Sequence, residues 1–423
     1  MNQVPPRRLD PPAGPLLAED DGALLHVRGI RYGRAARFAA PQPLAPWSDV
    51  LDATARGPAC PQLSSRLEWV TGPVVDGLAM SEDCQVLSVT APSDADGLPV
   101  MVWLHGGAYV SGGGEAPKYD ADELASTGRV VVVRVSYRLG VLGYLSPSGV
   151  DNLGLRDQIL ALQWVHDNIA AFGGDPDRVT VFGQSAGGDS VFSLMLCDQA
   201  VKLFRRAIMQ SAPLGIRSGR DAMTAAMRAA AKAVTTGEVL DAQTAAGAAG
   251  AHYGMVSGMP FGPIMGRDPL PAESDADERL ADAARRIELL VGYTRNDGAP
   301  FAAMNARIAR LKRFGPLGRI AERAAAAALT QRAFGKPARR LARQWRAYRG
   351  QSATFRVDWS PSGMGACHCI ELPLLFDPAP WIDAPMLGGR PIDERLAETM
   401  RRNWTGFAHR GVAGLDSPTL RFG

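Results

Sequence analysis

The sequence lacks the features that mark disulfide scaffolds, membrane spans and nucleic-acid-binding proteins. Its 423 residues include only five cysteines, an odd number that argues against a disulfide framework. The formal net charge is +3, too small an excess to indicate a nucleic-acid partner. No apolar run is long enough to span a membrane, and the proline-rich residues 1–17 lack a signal-peptide core. These absences predict a globular, enzyme-sized protein in the cytoplasm.

The chain does contain ample apolar residues and a regular alternation of strand and helix patterns. Apolar residues make up 46% of it, enough for a large packed core. Predicted strands cover residues 24–32, 85–90, 99–104, 129–136, 206–210, 288–292 and 353–357, and predicted helices cover 151–172 and 393–410. Residues 41–77 are rich in turn formers, which predicts a surface loop. Strands alternating with helices favour a mostly parallel, doubly wound sheet with helices on both faces.

Two stretches interrupt that alternation. Residues 214–286 and 299–350 contain many helix formers and few strand signals. We interpret both as helical insertions, the first of them a cap, within a single catalytic domain that spans residues 1–423. No internal repeat is visible.

The most informative stretch joins a β-branched run to a Gly-x-Ser-x-Gly turn and an apolar helical segment. Ser185 lies at the centre of this turn, between Gly183 and Gly187. A serine on a sharp strand-to-helix turn of small residues indicates a nucleophile elbow, which exposes the hydroxyl above the sheet. The N-terminus of the following helix would stabilise negative charge beside it. The motif also occurs by chance in ordinary turns, so its interpretation depends on the rest of the chain.

A second glycine-containing turn, His105-Gly106-Gly107-Ala108, follows the predicted strand 99–104. Serine hydrolases with a nucleophile elbow place oxyanion donors in a loop of this kind. We predict that the backbone N–H groups of Gly107, Ala108 and, from the elbow, Ala186 form an oxyanion hole. The alternative is an ordinary glycine turn after a strand.

Six histidines are available as a general base. Five of them fall in predicted strands or helices, in the cap or in the oxyanion loop, namely His26, His105, His166, His252 and His409. His368 remains, on a loop after a predicted strand. Cys367 and Cys369 flank it, but this tight spacing offers no fourth metal ligand nearby. We therefore predict a general base, with neither a metal site nor an organic cofactor.

The acidic partner of such a histidine lies between the serine and the histidine in chain order, after a strand. Asp297 meets this condition because it follows the predicted strand 288–292. Asp268 and Glu273 precede that strand and are weaker candidates, and the alternative for Asp297 is an aspartate with only a turn-forming role. Ser185, His368 and Asp297 form the predicted catalytic triad.

Together with these residues, the sequence resembles the type B carboxylesterases, the α/β-hydrolase group that includes cholinesterases, bacterial para-nitrobenzyl esterases and the catalytically silent neuroligins. The resemblance extends over several segments outside the elbow: SEDC at 81–84, YRLG at 137–140, GYLS at 143–146, NLGLRDQ at 152–158, ALQWVHDNI at 161–169 and FGGDP at 172–176. It implies an α/β-hydrolase fold and hydrolysis of small-molecule carboxylic esters through an acyl-enzyme.

The resemblance also implies roles for individual residues. It implies the same triad and two structural ion pairs, Arg138 with Asp157 and Arg37 with Glu82. It places Gln184 and Ser211 next to the triad. Cys60 and Cys84 match a cysteine pair that is bridged in secreted relatives, and in a reducing cytoplasm we expect free thiols.

The sequence departs from the family pattern in several ways. The acid is usually glutamate, so Asp297 requires that its strand end approach the histidine more closely, or else the assignment is wrong. Ala108 replaces the commoner glycine, but the oxyanion hole needs only the backbone N–H of this residue, which alanine also has. Gln184 replaces a common glutamate, which argues against a cationic, choline-type substrate. The cap and the C-terminal part are shorter than in most members, which predicts a shortened helical cap and a more open pocket.

Two alternatives to ester hydrolysis remain. A neuroligin-like binding protein would keep the fold without turnover, although the intact serine, histidine and oxyanion residues argue against it. Amide or carbamate hydrolysis would use the same triad. The sequence gives neither the substrate nor the oligomeric state.

One feature is unexplained by the resemblance. Residues 302–350 contain thirteen lysines and arginines, among them Arg339, Arg340, Arg343 and Arg346, but a single acid, Glu322. Leu341, Trp345 and Tyr348 mark the apolar side of a helix. We interpret the charges as the solvated faces of a helical insertion; attraction of anionic substrates, or contact with an anionic membrane surface, is a less favoured alternative.

Overall fold

The computed structural model describes residues 6–231 and 238–423. The strands are Arg7–Leu9, Leu16–Asp20, Leu24–Arg31, Gly33–Arg34, Gln42–Pro43, Leu51–Asp52, Val86–Pro92, Leu98–Leu104, Val131–Val135, Gly174–Gln184, Arg206–Gln210, Glu288–Thr294, Ser352–Val357 and Thr419–Phe422. The α-helices are Glu68–Thr71, Asp122–Gly128, Gly140–Tyr144, Leu153–Asn168, Ala186–Met195, Asp221–Ala231, Val239–Gly250, Ala276–Ala284, Ala299–Met304, Ala306–Ala309, Gly315–Thr330, Lys336–Ala347, Leu372–Leu375 and Glu394–Arg410.

A large central sheet organises the chain. Its spatial order after the N-terminal strands is Leu24–Arg31, Val86–Pro92, Val131–Val135, Leu98–Leu104, Gly174–Gln184, Arg206–Gln210, Glu288–Thr294, Ser352–Val357 and Thr419–Phe422. The pairings of Val86–Pro92 are antiparallel, and every pairing from Val131–Val135 onward is parallel. The mostly parallel α/β sheet predicted from the sequence is therefore confirmed.

Both faces of the sheet are buried, which explains why its central strands consist of continuous apolar runs. In Leu98–Leu104, Val102 and Leu104 contribute to one hydrophobic core, and Met101 and Trp103 contribute to the other. Successive side chains of a strand point to opposite faces. Helices on the two sides of the sheet complete these two cores.

The strand order reverses at Leu98–Leu104, which lies between Val131–Val135 and Gly174–Gln184. In open α/β sheets the ligand crevice lies outside the carboxyl ends of the strands at such a reversal. The predicted oxyanion loop follows Leu104, Ser185 follows Gln184, and Asp297 follows Glu288–Thr294. All three segments therefore leave the sheet at the same edge.

Both predicted insertions contain helices. The first, residues 214–286, contains Asp221–Ala231, Val239–Gly250 and Ala276–Ala284, while its residues 232–237 lie outside the described residues. The second begins with Ala299–Met304 and ends with Lys336–Ala347, which a short π-helical turn, Gln331–Gly335, joins to Gly315–Thr330.

The prediction of a surface loop at residues 41–77 was wrong for part of this segment. Cys60, Gln62 and Val70 are buried. The side-chain amide of Gln62 accepts a hydrogen bond from the N–H of Gly112 at 2.6 Å and donates one to its carbonyl at 2.8 Å. Turn-forming residues predict irregular backbone but do not show whether it lies on the surface or in the interior. Here part of this backbone is buried against the carboxyl edge of the sheet.

Two predicted ion pairs are present around the sheet. Arg138 binds Asp157 through Nε at 2.8 Å and Nη2 at 2.7 Å, and both side chains are buried. Arg37 donates from Nε to Glu82 at 2.8 Å. Among the described residues, no helix is long and apolar enough to cross a membrane.

Cys60 and Cys84 are free and buried. The hydrogen bond of the Cys60 thiol, together with burial, raises the pKa of the Cys84 thiol.

Some of the arginines in the basic segment, residues 302–350, bind other side chains of the protein. Arg339 donates to the hydroxyl of Tyr293 and to Gln331. Leu341 and Trp345 are buried, as the helical pattern predicts, whereas Arg340 and Arg343 are exposed. This arrangement fits a solvated helix face.

Candidate active site

Ser185 occupies a strained turn between the strand Gly174–Gln184 and the helix Ala186–Met195. Its backbone has φ 56° and ψ −121°, a conformation that costs energy for a residue with a side chain. A Cβ at position 187 would lie 1.9 Å from the carbonyl oxygen of Leu104, so only glycine fits there. The N–H of Ser185 donates to the carbonyl of Gln210 at 2.8 Å, which fixes the turn against the neighbouring strand.

His368 and Asp297 form a buried hydrogen-bonded pair. The distance from His368 Nδ1 to Asp297 Oδ1 is 2.7 Å, and neither side chain is exposed. Since the carboxylate can only accept, Nδ1 donates the proton. Nε2 of the neutral imidazole then carries the lone pair that a general base requires.

Asp297 is held by further donors. Its Oδ2 accepts hydrogen bonds from Ser211 Oγ and from the N–H of Thr294, both at 2.9 Å. The neighbouring backbone joins the two loops, because Asn296 N donates to the carbonyl of Ala366 at 2.9 Å. This contact brings the loop of Asp297 close to that of His368, which explains how the shorter aspartate side chain reaches the imidazole.

The other nitrogen of His368 faces the elbow. Nε2 lies 3.2 Å from the amide nitrogen of Gln184, the residue immediately before Ser185. Among the described residues, no hydrogen bond joins His368 to Ser185, although both side chains line the same cavity. The Gln184 amide therefore occupies the lone pair that would accept the serine proton.

The predicted oxyanion donors lie on the same side of the sheet. Gly107 has φ 114° and Ala108 has φ 54°, and both line the cavity with Ser185. Ala186 is the first residue of the helix that follows the elbow. Within the described chain, no carbonyl or side chain accepts the N–H groups of these three residues, so each remains available to a ligand.

His105 supports the oxyanion loop. Its ring stacks on Tyr137 with centroids 4.4 Å apart, and its Nδ1 contacts the carbonyl of Gly106 at 2.8 Å. Burial lowers the pKa of His105 to about 4. The buried ring is therefore neutral at pH 7 and packs beneath the oxyanion loop.

The cavity has a volume of about 300 Å³. The oxyanion loop and the elbow form part of its wall, His368 and Phe301 another part, and residues 62–80 much of the rest. It is large enough for a small ester.

The two weaker candidates for the acidic partner lie elsewhere. Asp268 is exposed and pairs with Arg156 at 2.7 Å, and Glu273 lies on an exposed turn. Neither is near the histidine that Asp297 contacts.

Sequence reasoning missed three neighbours of His368. The rings of Phe301 and Phe334 pack against its imidazole at centroid distances of 5.1 and 5.3 Å. They belong to an insertion without motifs, so no local signal identifies them. Glu371 is fully buried, and burial, with a smaller effect of Asp297, raises its pKa to about 8. Its place in the apolar run Ile370–Phe376 was a usable signal.

Comparisons with known proteins agree with this geometry. Residues 19–314 match the model of the carboxylesterase family. The chain is 40% identical to a probable N-octanoylanthranilate hydrolase of Rhodococcus erythropolis, over 95% of this chain and 92% of that protein. It is 35% identical to a para-nitrobenzyl esterase of Bacillus subtilis, over 91% of this chain and 86% of that protein.

A comparison with solved structures also identifies esterases. A solved para-nitrobenzyl esterase superposes with a TM-score of 0.82 at 33% sequence identity, covering 96% of this chain and 91% of that one. These relatives are named as hydrolases or esterases, which disfavours the alternative of a catalytically silent binding protein. The resemblance to type B carboxylesterases is confirmed: the chain belongs to the carboxylesterase family and is a carboxylic ester hydrolase.

Proposed function

We propose that the protein cleaves carboxylic esters through an acyl-enzyme on Ser185, with His368 as the general base and Asp297 as its acidic partner. The observation that carries this proposal is the position of His368. Its Nδ1 is bound to Asp297, and its Nε2 faces the elbow across the cavity. A base held by a carboxylate beside a half-buried serine that lines the cavity matches the requirements of acyl transfer.

In the proposed reaction, Ser185 attacks the ester carbonyl while His368 Nε2 takes its proton. For this step Nε2 must first exchange the Gln184 amide for the serine hydroxyl. Asp297 keeps the imidazole in the required tautomer and stabilises its protonated form. His368 then returns the proton to the leaving alcohol and activates the water that hydrolyses the acyl-enzyme.

The N–H groups of Gly107, Ala108 and Ala186 are proposed to bind the oxyanion. In related hydrolases, the loss of one such donor lowers kcat by roughly 10²- to 10³-fold. Their freedom from internal acceptors supports this role. Ser211 is proposed to fix the Asp297 carboxylate, and no metal or organic cofactor enters any step.

Substitution of Ser185 tests the mechanism. We expect Ser185→Ala to lower kcat for 4-nitrophenyl butanoate by a factor on the order of 10⁶ and to abolish covalent labelling by a fluorophosphonate. Ser64→Ala is the matched control, because Ser64 lines the same cavity away from the elbow, and it should retain both. Asp297→Asn should lower kcat by roughly 10⁴-fold. Labelling of the Ser185→Ala protein would refute the proposal.

Hydrolysis of an N-acyl bond on the same residues is a second candidate. It is favoured by the 40% identity to a protein named as an N-octanoylanthranilate hydrolase. Purified protein should be assayed on N-octanoylanthranilate and on a neutral octanoyl ester, with Ser185→Ala as the control for each. Hydrolysis of the ester alone would exclude this candidate.

The remaining assignments are proposals about context. We expect a small-molecule substrate, no nucleic-acid partner and a cytoplasmic location, with which the free thiols of Cys60 and Cys84 are compatible. Contact with a membrane surface is the less favoured alternative. Cell fractionation of the native protein tests the location.

A further inference from the structure

Arg66 is a cation in the wall of the catalytic cavity, which it lines together with Ser185 and His368. One guanidinium nitrogen donates to the carbonyl of Gly258, and the guanidinium carbon lies 5.8 Å from the centroid of the Phe301 ring. None of the ion pairs between described residues involves Arg66, and the residue is exposed. Its other guanidinium N–H groups make no hydrogen bond to a described residue, so they are free to bind a ligand in the cavity that Arg66 lines.

The acidic residues of the cavity do not neutralise Arg66. Glu68 and Asp76 also line it, but their charges act on Lys118, where they oppose a desolvation that lowers the pKa of this lysine. Although Arg66 keeps solvent-accessible surface, the protein around its guanidinium partly desolvates it and lowers its pKa, and no nearby carboxylate contributes to this shift. The guanidinium remains charged at neutral pH. The end of the cavity near Phe301 thus presents an uncompensated positive charge.

Phe301 lies between the Arg66 guanidinium and His368, the proposed general base. Its ring packs edge-to-face on His368 at 5.1 Å, and Arg66 covers the same ring. In the proposed function, on which this inference rests, His368 gives its proton to the leaving group. The leaving group therefore lies beside the imidazole, within reach of the Phe301 ring and of the guanidinium beyond it.

We propose that Arg66 binds a carboxylate carried by the leaving group, so that the preferred substrates are esters of aromatic hydroxy acids. A guanidinium presents a planar set of donors that matches a carboxylate. The part of the Phe301 ring that stays accessible in the cavity offers an apolar contact for an aromatic leaving group. Arg66 is thus a specificity-determining residue that does not take part in bond breaking.

The test compares three butanoate esters with leaving groups of similar shape: 3-carboxyphenyl, 3-carbamoylphenyl and phenyl. We expect Arg66→Gln to lower kcat/KM for the 3-carboxyphenyl ester by at least about tenfold, mainly through KM. The other two esters should change by less than about twofold. Arg66→Lys should recover part of the loss, since an ammonium keeps the charge but not the planar fork.

Arg340→Gln is the matched control for net charge, because Arg340 is exposed and belongs to the helix Lys336–Ala347 rather than to the cavity. It should leave all three esters unchanged. An equal loss on all three esters in Arg66→Gln would overturn the inference while leaving the proposed function intact. If Arg340→Gln caused an equal loss selective for the 3-carboxyphenyl ester, the preference would come from the long-range electrostatic field of the protein and not from direct binding by Arg66. Absence of wild-type turnover on phenyl butanoate would instead contradict the proposed function.

Discussion

Glu371 is expected to make the folded protein less stable as the pH rises from 4.5 towards 8. Its side chain is fully buried, and neither carboxyl oxygen has a hydrogen-bond partner. The amide of Gln210 is near enough to favour the ionised form slightly but makes no hydrogen bond of normal geometry. Burial, followed by the charge of Asp297, raises the pKa of Glu371 from 4.5 to about 8.

The sign and size of the effect follow from proton binding. Between these two values, the folded protein holds a proton that the unfolded chain has released, so stability falls as pH rises. Each pH unit lowers the free energy of unfolding by about 1.4 kcal/mol as long as the folded and unfolded states differ by one bound proton. At pH 7, two and a half units above the unfolded value, the loss attributable to Glu371 amounts to about 3 kcal/mol. Above pH 8 both states are ionised, and the loss becomes constant.

The variant Glu371→Gln keeps the shape of the neutral acid but does not titrate. We expect its unfolding free energy in urea, relative to wild type, to rise by about 3 kcal/mol between pH 5.5 and pH 8.5. Any constant cost of the new amide cancels, because only the pH dependence is compared. Glu398→Gln, at an exposed position of the helix Glu394–Arg410, should run parallel to wild type. A pH-independent difference between Glu371→Gln and wild type would refute the reasoning.

Two further predictions concern the groups around the triad. Tyr109 follows the oxyanion loop with φ 61°, and its hydroxyl donates to Asp189 at 2.8 Å, which holds the end of the loop in position. Tyr109→Phe removes this hydrogen bond and should therefore lower kcat with little change in KM. An unchanged kcat in steady-state assays would contradict this positioning role. Gln184→Glu would place a carboxylate against His368 Nε2 and favour the protonated imidazole, so the acidic limb of the kcat/KM–pH profile should move up by about one unit or more. A limb that stays in place would show that this contact is lost in the working enzyme.

The sequence predicted the parts of the site that depend on local backbone and strand order. Ser185 was identifiable because a strand, small flanking residues and a helix are adjacent in the chain. Asp297 was identifiable because parallel strands end at one edge of the sheet, so a polar residue after such a strand has a defined place. His368 required a different route, the exclusion of five other histidines.

The parts that were missed depend on long-range packing. Phe301 contacts His368 only because its insertion folds back over the carboxyl edge of the sheet, and Arg66 reaches the cavity on a segment that its turn-forming residues placed on the surface. The edge strands Arg7–Leu9 and Thr419–Phe422 were missed for another reason. They are short and partly polar, and they are held by backbone pairing rather than by a buried apolar run.

The same distinction between local sequence and long-range packing explains why the two carboxyl groups near His368 differ in their hydrogen bonding. Asp297 accepts hydrogen bonds from His368, Ser211 and Thr294, and such donors stabilise the ionised form of a carboxyl group. Glu371 accepts none, so burial leaves it protonated at neutral pH. Two carboxyl groups in one dry region thus differ in their surroundings, because only Asp297 has hydrogen-bond donors. Chain order suggests which acid belongs to the proposed triad, but the donors to its carboxylate come from three separate segments and are visible only in the folded structure.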